Sequence, residues 1–592
     1  MPDLSSQPTP LQTIYNWYRN GTLIVNRRYQ RKLVWSLAEK QKLIDSVLNE
    51  YPIPLVLLAE SKDESTSAYE IIDGLQRLHT IVSFIEHGFP TIDEKYFNVD
   101  EFTRAKEERE NNEFIEKKDV NLISRSDVAR ILDYILPVSI IRNVTQSDVT
   151  DVFGRINSYG HRLSDQERRQ AGLSSDFAQF VRRTACEIRG DVSVDTLPLY
   201  QMPEISVDLP MTRYGYRVQA DDVFWVRHGI LRSTDLRDSL DEQVIADITG
   251  CIVSDRLIER SKDTLDAIYD QSTPESAAVN SRFSSYGPDK ILSEFKYVIE
   301  VVEKIVAAST EKSLRSLVFE TKSTNAFPTV FSSIFIAIHE LTFSEGLVLA
   351  NPDGASKALA NVHGRLNTRR DALGPDERRN NVNLIKGLIT DCFVNGDVSQ
   401  VAYGVRRELD IENTLRRSRI ETPSFEMKQG IVRLDNSRST DANVVDKVLE
   451  TICAIANIGP KSNGAVFVGV ADDEADATRI ELLDKISAVE ISGRYIVGID
   501  REAKLLSITP EQYYQIWRDG ISNSDLSEPL RSEVLSNLDL CLFRSVHILI
   551  VSIPSQKGIS LKDGKVFIRD GDQTIEASPE KIVSLSSRFT SQ

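Results

Sequence analysis

Residues 73–77 read Asp-Gly-Leu-Gln-Arg, and these residue types suit the handling of a phosphate group. They lie between a short apolar run and a segment with helical periodicity, so we expect a turn from a strand into a helix. Gly74 permits a tight backbone there, and the start of the helix offers N–H groups and a positive dipole end to an anion. Arg77 adds a planar cation that fits phosphate, and Asp73 could hold a metal ion or orient a water molecule. A solvated Asp-Gly turn without function is the alternative interpretation.

Two further segments carry cations and amides that could serve the same ligand. Residues 26–36 are rich in cations around a tryptophan, and residues 155–160 hold an arginine, an asparagine and a turn before another expected helix. A nucleotide site needs cations for the phosphates, an acid or amide for water or metal, and a glycine-bearing backbone for close approach. Each part has an alternative: surface charge for the arginines, a core position for Trp35, and helix capping for Glu167.

A second set of charged residues, in the last third of the chain, could bind a divalent metal ion. Glu421 and Glu426 flank the start of an expected strand, and Lys428 shares a face with Glu426 because side chains alternate along a strand. Asp472 follows the apolar run 465–470, which predicts another strand. Carboxylates that converge from strand ends suit Mg²⁺ or Mn²⁺, and such an ion can activate water and stabilise the leaving oxygen of a phosphodiester. Solvated acidic residues at strand ends are the alternative.

Composition bounds the class of protein. The chain has 592 residues, 41% hydrophobic and 27% charged, as in soluble globular proteins, and a length of about 150 residues per domain predicts three to four units. The net charge of −17 argues against a broadly basic coat for nucleic acid. A local groove with salt-dependent affinity remains compatible with it. Its candidate residues are Arg27, Arg28, Arg31 and Lys32.

Several classes of site and compartment are disfavoured. The five cysteines lie far apart without a Cys-x-x-Cys pair, which argues against a zinc site or a disulfide framework and favours a reducing cytoplasm. There is no Gly-x-x-x-x-Gly-Lys-Ser/Thr loop, so a P-loop ATPase is not supported. We see neither a signal-peptide pattern nor an apolar stretch of about 18 residues that would predict a membrane span. The sequence leaves a homo-oligomer open.

Pattern changes along the chain predict a multidomain protein of α/β and α+β regions. Residues 1–175 alternate short apolar runs with helical periodicity, which predicts an α/β domain. Residues 176–410 are mostly helical in pattern and predict a scaffold or coupling domain. A charged linker or linking helix follows near residues 405–420, and residues 418–592 predict an α+β domain.

Periodicity also predicts individual elements. We expect helices at 40–49, 290–308, 330–341 and 444–456. We expect strands at 53–58, 69–72, 136–141, 425–427, 465–470 and 548–553, and a hairpin that joins 566–568 to 574–575. The densely charged segment 100–127 predicts a mobile or solvated helical insertion.

Three motifs in order make the first region resemble the Asp-Gly-Gln-Gln-Arg domain of GmrSD-type restriction systems. They are Tyr29-Gln-Arg-x-x-Val-Trp-Ser36, Ile71-Ile-Asp-Gly-x-Gln-Arg-Leu78 and Phe153-x-Arg-Ile-Asn-Ser-x-Gly160, the last followed by Glu167-x-Arg169. The resemblance covers about residues 10–175. It implies a ParB/sulfiredoxin-like fold, hydrolysis of a nucleotide, often GTP, and a role against modified or foreign DNA.

The same resemblance implies site residues by position. The signature would comprise Asp73, Gly74, Gln76 and Arg77, with support from Arg31, Arg155, Asn157 and Arg168. Leu75 departs from the family, which has its first Gln there. We expect a side chain directly after the glycine to point away from the site.

The last region resembles the Schlafen-type AlbA domain over about residues 418–585. The matching segments are Glu421-x4-Glu426-Met-Lys428, Ala454-Ile-Ala-Asn457, Gly464 to Asp473, and Phe567-Ile-Arg-Asp-Gly571. The departures are Ser462-Asn-Gly464 in place of the usual Gly-Gly and Met427 in place of an aromatic residue. Some members are RNases with three carboxylates, which by position would be Glu421, Glu426 and Asp472, with Lys428 nearby. Other members are described as DNA-binding or regulatory domains.

These observations lead us to expect an enzyme of phage defence. The first region would sense or hydrolyse GTP or another NTP, the helical region would relay that state, and the last region would cut RNA or DNA with Mg²⁺ or Mn²⁺. One alternative is a non-catalytic regulator that binds nucleic acid. Another alternative makes the first region itself the nuclease.

Overall fold

The computed structural model divides the chain into two compact units, Met1–Arg407 and Glu408–Gln592. It describes residues 3–590 apart from the following segments: 27–32, 34, 64–65, 111–113, 115, 146–147, 150–151, 153–163, 171–174, 191–195, 202–203, 207–216, 255, 321–323, 369–373, 399–407, 419–421, 442, 461, 492, 545 and 571–572. The predicted residues Arg31, Arg155, Asn157 and Glu421 fall outside the described part, as do Arg27, Arg28 and Lys32.

The first unit is built on a mixed six-stranded sheet of order β1-β7-β3-β4-β2-β8. Its strands are β1 (Asp3–Pro10), β2 (Leu23–Asn26), β3 (Val56–Asp63), β4 (Thr66–Asp73), β7 (Ile135–Arg142) and β8 (Thr196–Pro198). Strand β1 pairs antiparallel with β7 along all eight of its residues, from Asp3 opposite Arg142 to Pro10 opposite Ile135. The two-residue strands β5 (Lys95–Tyr96) and β6 (Asn121–Leu122) pair separately.

Five helices accompany this sheet: α1 (Leu11–Arg19), α2 (Leu37–Leu48), α3 (Leu75–Ile85), α4 (Thr103–Glu110) and α5 (Arg125–Asp133). Helix α1 is stabilised by burial of one apolar face. That face consists of residues at helical spacing, all of them buried: Leu11, Ile14, Tyr15 and Tyr18. A Ser36 capping box opens α2. One apolar core joins residues of α1, α2, α3 and α5 to the sheet.

The rest of the first unit is mainly helical. Its helices are α6 (Asp165–Gln170), α7 (Asp176–Arg189), α8 (Phe224–Arg227), α9 (Ser233–Arg237), α10 (Leu240–Val253), α11 (Lys262–Tyr269), α12 (Pro274–Tyr286), α13 (Pro288–Ala307), α14 (Leu314–Val318), α15 (Pro328–His339), α16 (Pro352–Leu359) and α17 (Pro375–Ile389). A π-helical turn, Glu340–Ser344, continues α15. The short strands β9 (Glu204–Ser206) and β10 (Arg217–Gln219) form one pair, and β11 (Leu347–Leu349) and β12 (Phe393–Asn395) form another.

The second unit is α+β. A four-stranded sheet has the order β13-β14-β19-β18, with β13 (Phe425–Lys428), β14 (Gly464–Val468), β18 (Leu538–Phe543) and β19 (Val546–Ile553). A smaller sheet joins β15 (Val470–Ala471), β17 (Arg494–Ile496) and β16 (Val489–Ile491), and β20 (Phe567–Asp570) pairs with β21 (Gln573–Glu576). The helices are α18 (Glu408–Arg417), α19 (Val444–Ala456), α20 (Glu474–Asp484), α21 (Asp500–Leu505), α22 (Pro510–Ser522), α23 (Leu530–Ser536) and α24 (Pro579–Thr590).

Most strongly patterned elements agree with expectation. Helices α2, α13, α15 and α19, strands β4, β7, β13 and β19, and the β20–β21 hairpin lie where the sequence predicts them, within a few residues at their ends. The expected helix after Ser164 is α6, and Ser164 O accepts the Arg168 N–H at 2.9 Å. The expected turn at 157–160 lies outside the described residues. No described helix is long and apolar enough to cross a bilayer.

Three expectations were wrong in part. The run 465–470 is not one strand, because the chain leaves the four-stranded sheet at Gly469, which has φ +95°, and enters the smaller sheet as β15. The charged segment 100–127 is not simply solvated, because Phe102 and Phe114 belong to the core of the first sheet. The strand expected at 53–58 begins only at Val56.

Candidate functional site

The Asp-Gly-Leu-Gln-Arg segment forms the expected turn from strand to helix. Strand β4 ends at Asp73, Gly74 adopts φ +102°, and α3 begins at Leu75. A Cβ atom on Gly74 would lie 2.7 Å from Cγ2 of Val56 on the neighbouring strand β3. The left-handed backbone and this close approach together require glycine. The first N–H groups of an α-helix have no carbonyl oxygen of the same helix to donate to. The start of α3 is therefore suited to binding an anion.

Arg77 folds back onto the end of β4. Its Nη2 donates to Asp73 Oδ2 at 2.8 Å and to the Leu55 carbonyl oxygen at 3.0 Å. The Arg77 side chain is 15% exposed and that of Asp73 45%. Arg77 Nε is buried and has no hydrogen-bond partner among the described residues. The turn therefore presents an exposed carboxylate beside an arginine whose hydrogen-bonding capacity is only partly used.

Leu75 points away from this charged pair. Leu75 is 6% exposed and belongs to the apolar core that joins the helices to the sheet. Since Leu75 fills the core, its replacement of a glutamine removes no polar group from the surface that carries Asp73 and Arg77.

Glu426 is the centre of a charge cluster in the second unit. Glu426 Oε1 lies 2.5 Å from Lys428 Nζ, two residues further along β13, and Oε2 accepts from Arg569 Nη1 of β20 at 3.1 Å. The exposed fractions are 17% for Glu426 and 3% for Arg569. One buried and one accessible cation therefore pair with the single negative charge of Glu426. Cleavage of a phosphodiester would need such a combination of an acid–base group and positive charge.

Arg569 is held by more than its ion pair. Its Nη1 also donates to Thr574 Oγ1 at 3.0 Å, and its Nη2 donates to the Phe425 carbonyl oxygen at 3.4 Å. The sequence prediction omitted Arg569 because it stands 143 residues from Glu426. The signal that could have found it is its place in the motif Phe567-Ile-Arg-Asp-Gly571.

The remaining predicted carboxylate belongs to the other sheet. Asp472 follows β15, is 65% exposed, and forms an ion pair with Arg494 of β17. Among the described residues, which exclude Glu421, no group of three His, Cys, Asp or Glu side chains could hold a metal ion. The described donors therefore fit a set of ion pairs better than an acidic metal cage, and any such cage would depend on Glu421.

Comparison with known families decides what these two regions are. Residues 11–174 match the family model described as GmrSD restriction endonuclease, N-terminal domain, and residues 421–578 match Schlafen, AlbA_2. The chain joins a GmrSD N-terminal domain to a Schlafen AlbA_2 domain. No curated protein and no solved structure gives a significant match. The ParB/sulfiredoxin-like fold stays a prediction.

Within the GmrSD N-terminal domain, Arg168 is the one predicted supporting residue that lies in the described part of the chain, and it has other contacts. Arg168 Nη2 lies 3.4 Å from Asp266 of α11 and 3.4 Å from Asp165, which ties it to the helical part of the first unit. Trp35 packs against the core, in line with the structural alternative. Gln76 lies in the first turn of α3 and is half-buried.

Within the AlbA_2 domain, Asn457 and Glu502 anchor the two backbone segments that carry the charge cluster. Asn457 at the end of α19 is buried, donates to the carbonyl oxygens of Ser560 and Phe567 at 2.9 Å each, and accepts the Ser560 N–H at 2.7 Å. Glu502 of α21 accepts the N–H groups of Ile431 and Val432, at 2.8 and 3.1 Å. Buried hydrogen bonds therefore hold the backbone next to β20, which carries Arg569, and the backbone that follows β13, which carries Glu426 and Lys428.

Proposed function

We propose that this chain is a phage-defence protein in which the GmrSD N-terminal domain binds and hydrolyses an NTP, with GTP as the first candidate. That event controls cleavage of RNA or DNA by the AlbA_2 domain. The fusion of a restriction-endonuclease domain with a Schlafen domain supports the defence role and an interaction with nucleic acid. The helical part of the first unit connects the two in sequence and is proposed to relay the nucleotide state.

The cluster of Glu426, Lys428 and Arg569 carries the nuclease proposal. Cleavage of a phosphodiester needs a group that takes a proton from the attacking oxygen and cations that stabilise charge on the phosphorus oxygens. Glu426 is the proposed acid–base residue. Lys428, which is more accessible, is the proposed phosphate contact, and the buried Arg569 is proposed to hold the Glu426 carboxylate in place through their ion pair.

A divalent cation, Mg²⁺ or Mn²⁺, is the proposed cofactor, with Glu421, Glu426 and Asp472 as its proposed ligands. Such an ion would supply a more acidic bound water and positive charge at the phosphate. Lys428 already neutralises part of the charge of Glu426, and Arg494 does the same for Asp472. Cleavage should therefore be measured with and without the ion rather than assumed to require it.

A nuclease panel on the full chain tests the proposal. Single- and double-stranded RNA and DNA are incubated with Mg²⁺, Mn²⁺ or EDTA, with and without GTP, ATP or CTP. We expect cleavage by the natural protein, and a loss of at least about 100-fold in Glu426→Gln, the scale of one acid–base group. The matched control is Glu490→Gln on β16, which removes an exposed carboxylate elsewhere in the same domain. No cleavage of any substrate by the natural protein would overturn the effector role.

Nucleotide hydrolysis is tested separately. We expect release of phosphate from GTP, ATP or CTP, and its loss in Arg77→Ala, because Arg77 is the proposed contact of the phosphates at the start of α3. The control is Arg183→Ala, which removes an exposed arginine that forms an ion pair with the exposed Asp289, at 3.0 Å, in the same unit. Absence of phosphate release in every condition would contradict hydrolysis, and direct binding measurements would then decide whether the nucleotide is an effector.

A non-catalytic regulator is the second candidate function. The observation in its favour is that Glu426 and Asp472 are both in ion pairs, with no three-carboxylate group among the described residues. Salt-dependent binding of nucleic acid without cleavage would support it.

The N-terminal domain could instead be the nuclease. In that case cleavage should persist in Glu426→Gln and disappear in Asp73→Ala. The same panel therefore separates all three candidate functions.

A further inference from the structure

A chain of hydrogen bonds runs from helix α19 to the charge cluster of the AlbA_2 domain. Thr451 Oγ1 lies 3.1 Å from Thr574 Oγ1 and 3.1 Å from the Lys447 carbonyl oxygen one turn earlier in α19. Thr574 Oγ1 accepts from Arg569 Nη1 at 3.0 Å, and the same Nη1 donates to Glu426 Oε2 at 3.1 Å. Two threonines thus connect a helix backbone to the arginine that pairs with Glu426.

The chemistry of a hydroxyl group fixes the direction of this chain. Each hydroxyl has one hydrogen to donate. Thr451 donates its hydrogen to the Lys447 carbonyl, which can only accept, so Thr451 Oγ1 must accept from Thr574. Thr574 then has its lone pairs available for the Arg569 N–H. In this order the donors point from Arg569 through Thr574 and Thr451 to the Lys447 carbonyl, and each hydroxyl hydrogen has an acceptor.

This order uses both hydrogens of Arg569 Nη1, one on Glu426 and one on Thr574. The Arg569 side chain is 3% exposed, so water is a poor substitute for either acceptor. If Thr451 could not accept, the Thr574 hydroxyl would have to turn towards another acceptor, and its lone pairs would leave the Arg569 N–H.

We propose that Thr451 is a positioning residue that acts through Thr574 to hold Arg569 in the geometry in which it pairs with Glu426, the proposed acid–base residue. This rests on the nuclease function proposed above. Thr451 is buried in α19 and touches neither Glu426 nor Lys428 through a hydrogen bond. Its effect on a phosphodiester is therefore indirect, through the orientation of one guanidinium group.

Thr451→Val tests this with little change of shape, because valine replaces the hydroxyl by a methyl group. The matched control is Thr390→Val, which removes a partly buried threonine hydroxyl bonded to the carbonyl four residues earlier, Lys386 O at 2.6 Å, but in the first unit. Both variants are compared with the natural full chain by hydrogen exchange read by mass spectrometry, by thermal unfolding, and by kcat and KM for the best substrate of the nuclease panel.

We expect Thr451→Val to raise amide exchange in the β20–β21 hairpin, residues 567–576, and to lower kcat about fivefold, on the scale of one hydrogen bond, with KM within about twofold. Thr390→Val should change neither. Thr574→Val should reproduce the effect, and the double variant should be no worse than either single one, because both act on the same contact.

Unchanged exchange in the hairpin together with unchanged kcat would overturn the positioning role. A rise in exchange throughout residues 408–592 would also overturn it, because that pattern is a general loss of stability. Absence of cleavage by the natural protein would defeat the proposed nuclease instead, while exchange in the hairpin would still decide whether Thr451 holds the strand of Arg569.

Discussion

Cγ2 of Val56 stands 2.7 Å from the point that a Cβ atom on Gly74 would occupy. Gly74 also has φ +102°, which a side chain rarely tolerates. We expect Gly74→Ala to lower the free energy of unfolding by about 2–4 kcal/mol, since backbone strain and overpacking add. The control is Gly387→Ala in α17, which has open space around it and lies inside a helix. That change should stabilise by about 0.5–1 kcal/mol. Denaturant unfolding of both variants decides, and a neutral Gly74→Ala would show that the turn can relax.

Leu75→Gln restores the glutamine of the family signature and should harm the protein rather than activate it. Leu75 belongs to the apolar core, so a glutamine there would bury an amide among aliphatic side chains. We expect a loss of about 2–3 kcal/mol in the free energy of unfolding and no gain in phosphate release. A stable Leu75→Gln variant with faster hydrolysis would mean that position 75 faces the nucleotide.

His87 should make the stability of the chain depend on pH. The ring is buried, Nε2 lies 2.6 Å from the Phe97 carbonyl oxygen, and Nδ1 accepts the Lys117 N–H at 3.2 Å, so the ring is neutral. Burial, with help from the charges of Lys117 and Arg109, lowers its pKa below 6.5. Between the native pKa and about 6.5, His87 is therefore protonated in the unfolded chain but neutral in the native chain. The free energy of unfolding should fall as the pH drops from about 6.5 towards the native pKa.

Melting curves between pH 5 and 8 test this for the natural chain and for His87→Asn. Asparagine accepts the positive φ of 60° at this position. It does not titrate, so we expect a smaller decrease of the melting temperature on acidification in His87→Asn. Equal decreases in the two proteins would show that other groups govern the acid side of the stability curve.

Asn457→Ala should destabilise the second unit strongly. It removes the side-chain amide that bonds two buried carbonyl oxygens and the Ser560 N–H. We expect a loss of about 3 kcal/mol in the free energy of unfolding. Asn537→Ala is the control, because its amide donates at 2.7 Å to Glu533 O on the exposed surface. That change should cost less than about 0.5 kcal/mol. Similar unfolding curves for the two variants would contradict the anchoring role.

The local sequence pattern was sufficient to predict an element where neighbouring residues alone determine its structure. Helix α19 begins and ends as its periodicity predicts, and the turn before α3 follows from a single glycine between an apolar strand and an amphipathic helix. The direction of Leu75 also followed from its place directly after that glycine. In each case the residues that decide the structure are neighbours in sequence.

Pattern failed where distant contacts decide. Gly469 lies close to the backbone of Gly498, and an apolar run that reads as one strand is therefore divided between two sheets. Phe102 and Phe114 are buried although charges surround them in sequence, because the sheet offers a place for their rings. Arg569, Thr451 and Thr574 could not be assigned to the site from spacing, since three separate elements bring them together.

Strand β1 has a role that its polar sequence hides. It covers the edge of β7, yet its own free edge includes Pro8 and Pro10, which have no N–H to offer to a further strand. A further strand that paired with this edge would lack backbone hydrogen bonds at the two prolines. Strand β1 thus completes the sheet and also disfavours pairing with the sheet edge of another molecule. An uncovered β7 would be open to such edge-to-edge aggregation.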